Sequence, residues 1–335
     1  MSFGSPVVVA YEDRSSAIPG VELLARSLQR HSPGLNLYVY SPLDVLAELL
    51  ADFTNVTFVK TVDLVNCGWN AKPVILLRAL TEYESVFWLD TDVIITGDIG
   101  SFVARFDKDA VVVGQEFRGM SDNGGHIRAR AYGLVPARSL PRSVNSGSIV
   151  ISRKHRDLIK AWSALLSDGR YQAAQSQPVR ERPAAFVGDQ DALWALLASK
   201  DYANIKVDYF RVGTDMIQHC GANGYHVIDR LARPFGSGPV FVHMLGRYKP
   251  WSFGKIPSAR GNPTDYLHMV CFELSPFFEA AQPFSSDLGS PEWLRRRTLP
   301  AKLLNLFFGG NVALRGLPLA IISWAAALIG RRTRL

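Results

Sequence analysis

Short apolar runs separated by helix-spaced stretches fill the first 90 residues, and this alternation restricts the chain more than any other feature. Pro6 to Ala10, Leu35 to Tyr40, Val56 to Lys60 and Val86 to Leu89 are rich in β-branched and aromatic residues and read as strands. Between them Val21, Leu24, Ala25 and Leu28 recur at i, i+3, i+4 and i+7, which is one helix face. Pro42 can open a second helix reaching about Leu50, and a third is predicted over about Lys72 to Tyr83. Strands alternating with helices imply a mostly parallel sheet with helices on both faces. Ligands on such sheets bind outside the carboxyl ends of the strands.

The fourth run ends in Asp90-Thr91-Asp92. Buried carboxylates are costly unless a cation pairs with them or they become neutral. Strand alternation predicts Asp90 and Asp92 on one face with Thr91 opposite. Two hard oxygen ligands on one face suit Mg²⁺ or Mn²⁺ holding a phosphate. The competing reading is a pair of aspartates that caps the turn before Gly97.

The second half is less regular. Ala110 to Gly114 and Gly147 to Ser152 read as strands, and the Gly-, Arg- and Pro-rich stretch from Arg118 to Arg142 reads as a long loop. Helices are expected at about Lys154 to Leu166 and Gln190 to Ser199, and Pro239 to His243 is a late strand ending in histidine. At 335 residues with 47% hydrophobic and 20% charged content, the chain can bury a full core and is not disordered. Three cysteines without a CxxC spacing fit a reducing compartment and exclude a disulfide framework. The N-terminus enters an apolar strand without a basic region or cleavage site, so no signal peptide is expected.

Four further signals follow in order. Asn145-Ser146-Gly147 stands at the entrance to a strand, and Asp189 and Gln190 open a helix. His243, Gly246, Lys249 and Trp251 share one segment, and Lys72 and Arg78 lie upstream of the aspartates. Together these motifs resemble the family 8 glycosyltransferases, retaining GT-A enzymes that include glycogenin and bacterial lipopolysaccharide galactosyl- and glucosyltransferases. The resemblance covers about residues 6–252 and is sharpest in H-x-x-G-x-x-K-P-W after a D-x-D and an N-x-G. It implies an α/β GT-A fold (Rossmann-like, mostly parallel sheet), and the apolar and basic residues beyond it are expected to form a helical C-terminal tail. Residues 1–275 would form the glycosyltransferase domain, with a nucleotide-sugar half to about 115 and an acceptor half from about 116; residues 276–335 would be the tail.

The implied activity is metal-dependent, retaining transfer of a hexose from a nucleotide sugar, UDP-glucose or UDP-galactose, to a glycan or lipid-linked acceptor. At the end of an apolar strand a neutral His243 can join Asp90 and Asp92 as a third ligand to Mn²⁺ or Mg²⁺. By resemblance Gly246 lets backbone approach a phosphate, and Lys249 supplies a cation to the diphosphate. Asn145, Ser146 and Gly147 would contact the donor sugar, where the plainer reading is a turn. Asp189 would bind sugar hydroxyls, against a plain helix N-cap, and Gln190 would lie near the anomeric carbon. Gln190 is a weak nucleophile, which favours front-face attack beside the departing diphosphate, and Asp191 stands as the alternative. Lys72, at a helix start beside Pro73, is preferred over Arg78 as the basic donor contact. Thr91 and Ala10 complete the donor set. Glu12 or Asp13 could accept from the base or ribose, but the aromatic that family members carry after them is missing, leaving Tyr11 as its replacement.

A nucleotidyltransferase would want a Gly-rich basic loop after the first strand, which Tyr11 to Gly20 is not. A non-catalytic membrane scaffold would not need the aspartates, histidine and lysine together. Five arginines between Arg118 and Arg142 point to an anionic or lipid-linked acceptor at that segment. The whole net charge of +7 resides after residue 291, where eight Lys or Arg face one Glu; the body before it balances 29 against 29. A neutral body argues against nucleic acid as a partner. The tail, with apolar runs at Leu303 to Phe308 and Leu317 to Ile329, is expected to attach peripherally to the cytoplasmic face of an anionic membrane.

Overall fold

A computed structural model of the chain describes residues 6–116, 124–220, 227, 238–246, 249–252, 259–307 and, near the C-terminus, 314, 316–318, 320–322, 324 and 325. Described strands are β1 Val7–Tyr11, β2 Leu37–Ser41, β3 Val56–Lys60, β4 Ser85–Leu89, β5 Val93–Ile95, β6 Ala110–Gln115, β7 Val144–Ser152, β8 Lys206–Phe210, β9 Met216–His219 and β10 Phe241–Met244. Described helices are α1 Ile18–His31, α2 Val45–Leu50, α3 Lys72–Glu82, α4 Ile99–Val103, α5 Gly124–Ala131, α6 Arg156–Leu166, α7 Gly169–Gln175, α8 Asp189–Ala198, α9 Pro263–Glu273, α10 Pro276–Ala281 and α11 Leu299–Phe307. Two compact units result, one of residues 1–18, 28–91 and 98–211, the other of residues 19–27, 92–97 and 212–335.

The first unit holds a seven-stranded sheet in the order β3-β2-β1-β4-β7-β6-β8. Only β7 runs against its neighbours β4 and β6; the other pairs are parallel. Val7, Val9, Val86, Trp88, Val111, Val113, Ile149 and Ile151 project from one sheet face onto α3, α6 and α8. The alternate residues Val8, Phe87, Val112 and Val150 are fully buried as well, so both faces are covered. That double burial is why these strands read as continuous apolar runs.

The second unit holds a three-stranded sheet, β5-β10-β9, packed on its own core. Ile94, Ile217, Val242 and Met244 meet Phe272, Phe277, Phe278, Ala281, Phe284, Trp293 and Leu294 there. Fully buried Phe277 and Phe278 each contribute about 1.5–3 kcal/mol. This core takes residues from both sides of position 276, and beyond that position the exposed large apolar residues begin at Leu299.

Two sequence expectations are corrected. Arg118 to Arg142 is not one loop: α5 occupies Gly124–Ala131, whereas residues 117–123 lie outside the described set. Gly124 and Gly125 let α5 approach α8 closely, because a Cβ on either would sit 2.7 Å from Trp194 or Ala198. The aspartate pair does not lie on the strand either. β4 ends at Leu89 and Asp90 to Asp92 turn into β5, so strand alternation does not orient them.

Candidate active site

In the first unit one buried ammonium organises three elements. Pro73 in the first turn presets the helical backbone of α3 and starts it at Lys72. Lys72 Nζ lies 3.1 Å from Asp90 Oδ1 and 3.4 Å from Asp189 Oδ2, and donates to Ser146 Oγ at 3.1 Å. Ser146 Oγ donates in turn to Asp189 Oδ2 at 2.7 Å, and Trp88 Nε1 donates to Asp90 Oδ1 at 2.8 Å. Burial pulls the Lys72 ammonium toward neutrality, but Asp189 and Asp90 outweigh it, and its pKa is raised. Burial pushes the Asp189 carboxyl up, against the pull of Lys72 and the Ser146 hydroxyl. Lys72, Asp90, Ser146 and Asp189, distant in sequence, are thus brought together.

A second network continues from Asn145. Its Nδ2 donates to Glu116 Oε2 at 2.9 Å and to Gln190 Oε1 at 3.3 Å, and Gln190 Nε2 donates to Glu116 Oε2 at 3.5 Å. Asn145 Oδ1 accepts from the Gly147 N–H at 2.9 Å. Asn145 to Gly147 are buried within β7 and not in a turn before it. The β6–β7 register shifts between Val113 and Gly114, where a Cβ would come 2.8 Å from Ser148 Oγ and 3.1 Å from the Asn145 carbonyl. The bulge needs that glycine. Glu116, which sequence reading missed, follows the last residue of β6; its only signal is its place at a strand's carboxyl end.

Asp191 is engaged elsewhere. Arg128 Nε donates to its Oδ1 at 2.6 Å, and the Gly188 N–H donates to its Oδ2 at 2.9 Å. The guanidinium also lies 4.4 Å from the Trp194 ring centre. With both oxygens held, Asp191 fixes the start of α8, where Asp189 and Gln190 sit. Arg138 is likewise internal, donating to the carbonyls of Leu197, Ala203 and Ile205. Two of the five arginines read as an acceptor surface therefore serve the fold.

The strand-one end ties down the aspartate turn. Glu12, 1% exposed, accepts from Arg14 Nε at 2.7 Å and from the Thr91 hydroxyl at 2.6 Å. Ala10 is buried within β1. Asp13 Oδ2 accepts from the Gly68 N–H at 2.9 Å, and the Tyr11 hydroxyl lies 2.7 Å from the Leu64 carbonyl and 3.1 Å from Asp13 Oδ2. Glu12 and Thr91 are engaged in this lock, whereas Asp13 keeps partial exposure.

In the second unit β10 runs antiparallel to β5 with His243 opposite Val93, and the Met244 N–H donates to the Asp92 carbonyl at 3.0 Å. That register sets His243 Nε2 3.1 Å from Asp92 Oδ1. Lys249 Nζ donates to Asp92 Oδ2 and to the Met244 carbonyl. Burial pushes the Asp92 carboxyl up, but Lys249 and His243 outweigh it and hold it well below the usual range. Gly246 has φ +86°, and a Cβ there would meet only Cys220 Sγ at 3.6 Å; conformation, not space, selects glycine. Within this unit Asp92 and His243 each offer a ligand atom, and Asp90 stands two residues before Asp92 in the sequence. Asp92 Oδ1 is buried and faces the His243 imidazole, and a carboxylate beside an imidazole is a donor set that fits a divalent metal.

No family model and no curated protein matches the chain by sequence. Solved structures do. The galactosyltransferase LgtC, in complex with donor and acceptor sugar analogs, is similar over 78% of this chain and 94% of its own, at 15% identity and TM-score 0.50. This chain has a GT-A fold. The bifunctional glycosyltransferase WbbM is similar over 74% of this chain at 15% identity and TM-score 0.49, and the match spans 47% of WbbM. The glycosyltransferase GlyE of Streptococcus pneumoniae TIGR4 is similar over 84% of this chain and 64% of its own, at 16% identity and TM-score 0.44.

On this GT-A fold Asp90 follows the carboxyl end of β4, beside β1 and β7. Its N–H donates to the Gly147 carbonyl at 2.9 Å, which extends the ladder one residue past the strand. Lys72, Asn145, Ser146, Asp189 and Gln190 gather from four segments of the same unit.

Proposed function

We propose that this protein is a metal-dependent glycosyltransferase that moves a hexose from a nucleotide sugar, UDP-glucose or UDP-galactose, to a glycan or lipid-linked acceptor with retention. The observation that carries this reading is the Asp90, Asp92 and His243 group on a GT-A fold. These three residues would hold Mn²⁺ or Mg²⁺, which when bound supplies charge neutralisation to the diphosphate. LgtC, solved in complex with donor and acceptor sugar analogs, lends support to a sugar donor and a sugar acceptor as the substrates.

The remaining roles follow from this chain's own side chains. Lys249, already beside Asp92, offers its ammonium to the diphosphate as negative charge develops on it. Asp189 and Ser146, held by Lys72, present oxygens to sugar hydroxyls. Glu116 orients the amides of Asn145 and Gln190. Because Asp191 is locked by Arg128 and Gly188, a double displacement through it would first break a buried ion pair. Front-face attack avoids this: the acceptor oxygen bonds to the anomeric carbon as the bond to the diphosphate breaks, and the acceptor proton passes to the departing phosphate oxygen.

A nucleotide-sugar panel with Mn²⁺ tests the reading by release of nucleoside diphosphate, and proton NMR of the early product tests the stereochemistry. Turnover of a UDP-hexose with an α-anomeric product is expected. A β-anomeric signal would overturn retention, and absence of metal-dependent UDP binding by calorimetry would favour a non-catalytic scaffold.

A further inference from the structure

The last described helix has two apolar sides. α11 is clamped at its start by Glu273, 1% exposed, which accepts from the backbone N–H groups of Arg297 at 2.8 Å and Thr298 at 3.0 Å. The Thr298 hydroxyl donates to the same carboxylate at 2.5 Å. On one side Ala301, fully buried, packs with Val270 of α9 and with Leu274 just after it, and Leu304 lies alongside. On the other side Leu299, Leu303 and Leu306 recur at i, i+4 and i+7, followed by Phe307. These four are 64%, 46%, 75% and 79% exposed. Larger apolar groups thus point outward than inward. A rigid apolar stripe in water marks an interaction surface.

The surrounding charge selects the partner. Residues 292–335 carry eight Lys or Arg and one Glu, and the rest of the chain is balanced. Arg295 and Lys302 beside the stripe are exposed and form no ion pair among the described residues. Ile321, Ile322 and Trp324 further along are also exposed. No helix among the described residues is long and apolar enough to cross a membrane. Apolar side chains beside unpaired cations match the headgroup boundary of an anionic bilayer, where the chains insert and the cations stay with the phosphates. A second copy would bring two strongly basic tails together, which opposes self-association.

We infer that the outward face of α11, Leu299, Leu303, Leu306 and Phe307, seats the protein on an anionic lipid surface. Because Glu273 and Ala301 already hold the helix, contact requires little ordering on binding. The inference goes beyond the transfer reaction and does not depend on it.

Co-sedimentation of the full chain with vesicles tests it, comparing phosphatidylcholine alone with phosphatidylcholine mixed with phosphatidylglycerol. The intact protein is expected to pellet with the mixed vesicles only, and less as salt rises. Leu303→Asp/Leu306→Asp and, separately, Arg295→Glu/Lys302→Glu should each lower partitioning roughly tenfold or more. All four positions are exposed, so folding should survive. Wild-type pelleting by either double variant, or equal pelleting with neutral vesicles, would overturn the inference. So would a lipid-free dimer abolished by Leu303→Asp/Leu306→Asp, which would assign the stripe to a second copy. Titration of UDP with Mn²⁺ reads the transfer site separately, so either reading can fail while the other stands.

Discussion

Arg128 Nε donates to Asp191 Oδ1 at 2.6 Å, and the two residues are only 4% and 2% exposed. This pair joins α5 to the first turn of α8, one residue after Gln190. Removing Arg128 alone would strand a carboxylate away from water. Arg128→Met should cost about 3–5 kcal/mol of unfolding free energy, whereas Arg128→Met/Asp191→Leu should regain much of it. Denaturant unfolding of the two variants checks this; an Arg128→Met protein as stable as the wild type would show that the pair holds nothing.

Asp92→Asn keeps the side-chain shape and removes a charged ligand. Turnover should fall by orders of magnitude at limiting metal, with the circular dichroism spectrum unchanged. Calorimetry of Mn²⁺ binding offers a readout independent of turnover. Wild-type metal affinity in this variant would remove Asp92 from the ligand set.

Lys249→Ala should weaken UDP binding by about 1.5–3 kcal/mol, the loss of one charge-assisted contact. Unchanged affinity in a titration would detach Lys249 from the diphosphate.

Burial, with Lys154 nearby, pushes His155 down to about 4, and the Ser152 hydroxyl lies 3.2 Å from its Nδ1. The folded protein keeps this imidazole neutral while the unfolded chain protonates near the ordinary histidine value of ~6.5. Unfolding therefore takes up a proton at mildly acidic pH. The stabilising contribution is whole above pH ~6.5 and fades as pH falls toward 4, by about 3 kcal/mol at most. Between pH 7 and 5 the wild type should lose more stability than His155→Gln. Parallel pH profiles of the two would sink the assignment.

Strand placement was legible in the sequence because a doubly covered sheet demands apolar residues on both faces. Val7–Tyr11 and Ser85–Leu89, buried along nearly their whole length, fall close to where the apolar runs put them. The short edge of the second unit was not: β5, three residues long, offers too few positions for a period to emerge. Site residues with unusual chemistry in an apolar context, such as Asp90 after β4 and His243 in β10, stood out for the same reason that burying them is costly. Glu116 did not, since a glutamate after a strand is ordinary until Asn145 is known to face it.

By itself the sequence determined the alternating α/β class, the residue types available for a metal and a diphosphate, and the concentration of positive charge after residue 291. Tertiary structure decided which of those residues meet. β7 enters antiparallel between β4 and β6, which sets Asn145 to Gly147 beside Asp90 and Glu116. The same packing drew Arg128 inward to Asp191 and left Leu303 and Leu306 outside. Local periodicity reports which face of an element is apolar, but pairing across long stretches of chain depends on sheet order and register, and those are settled only when the whole core packs.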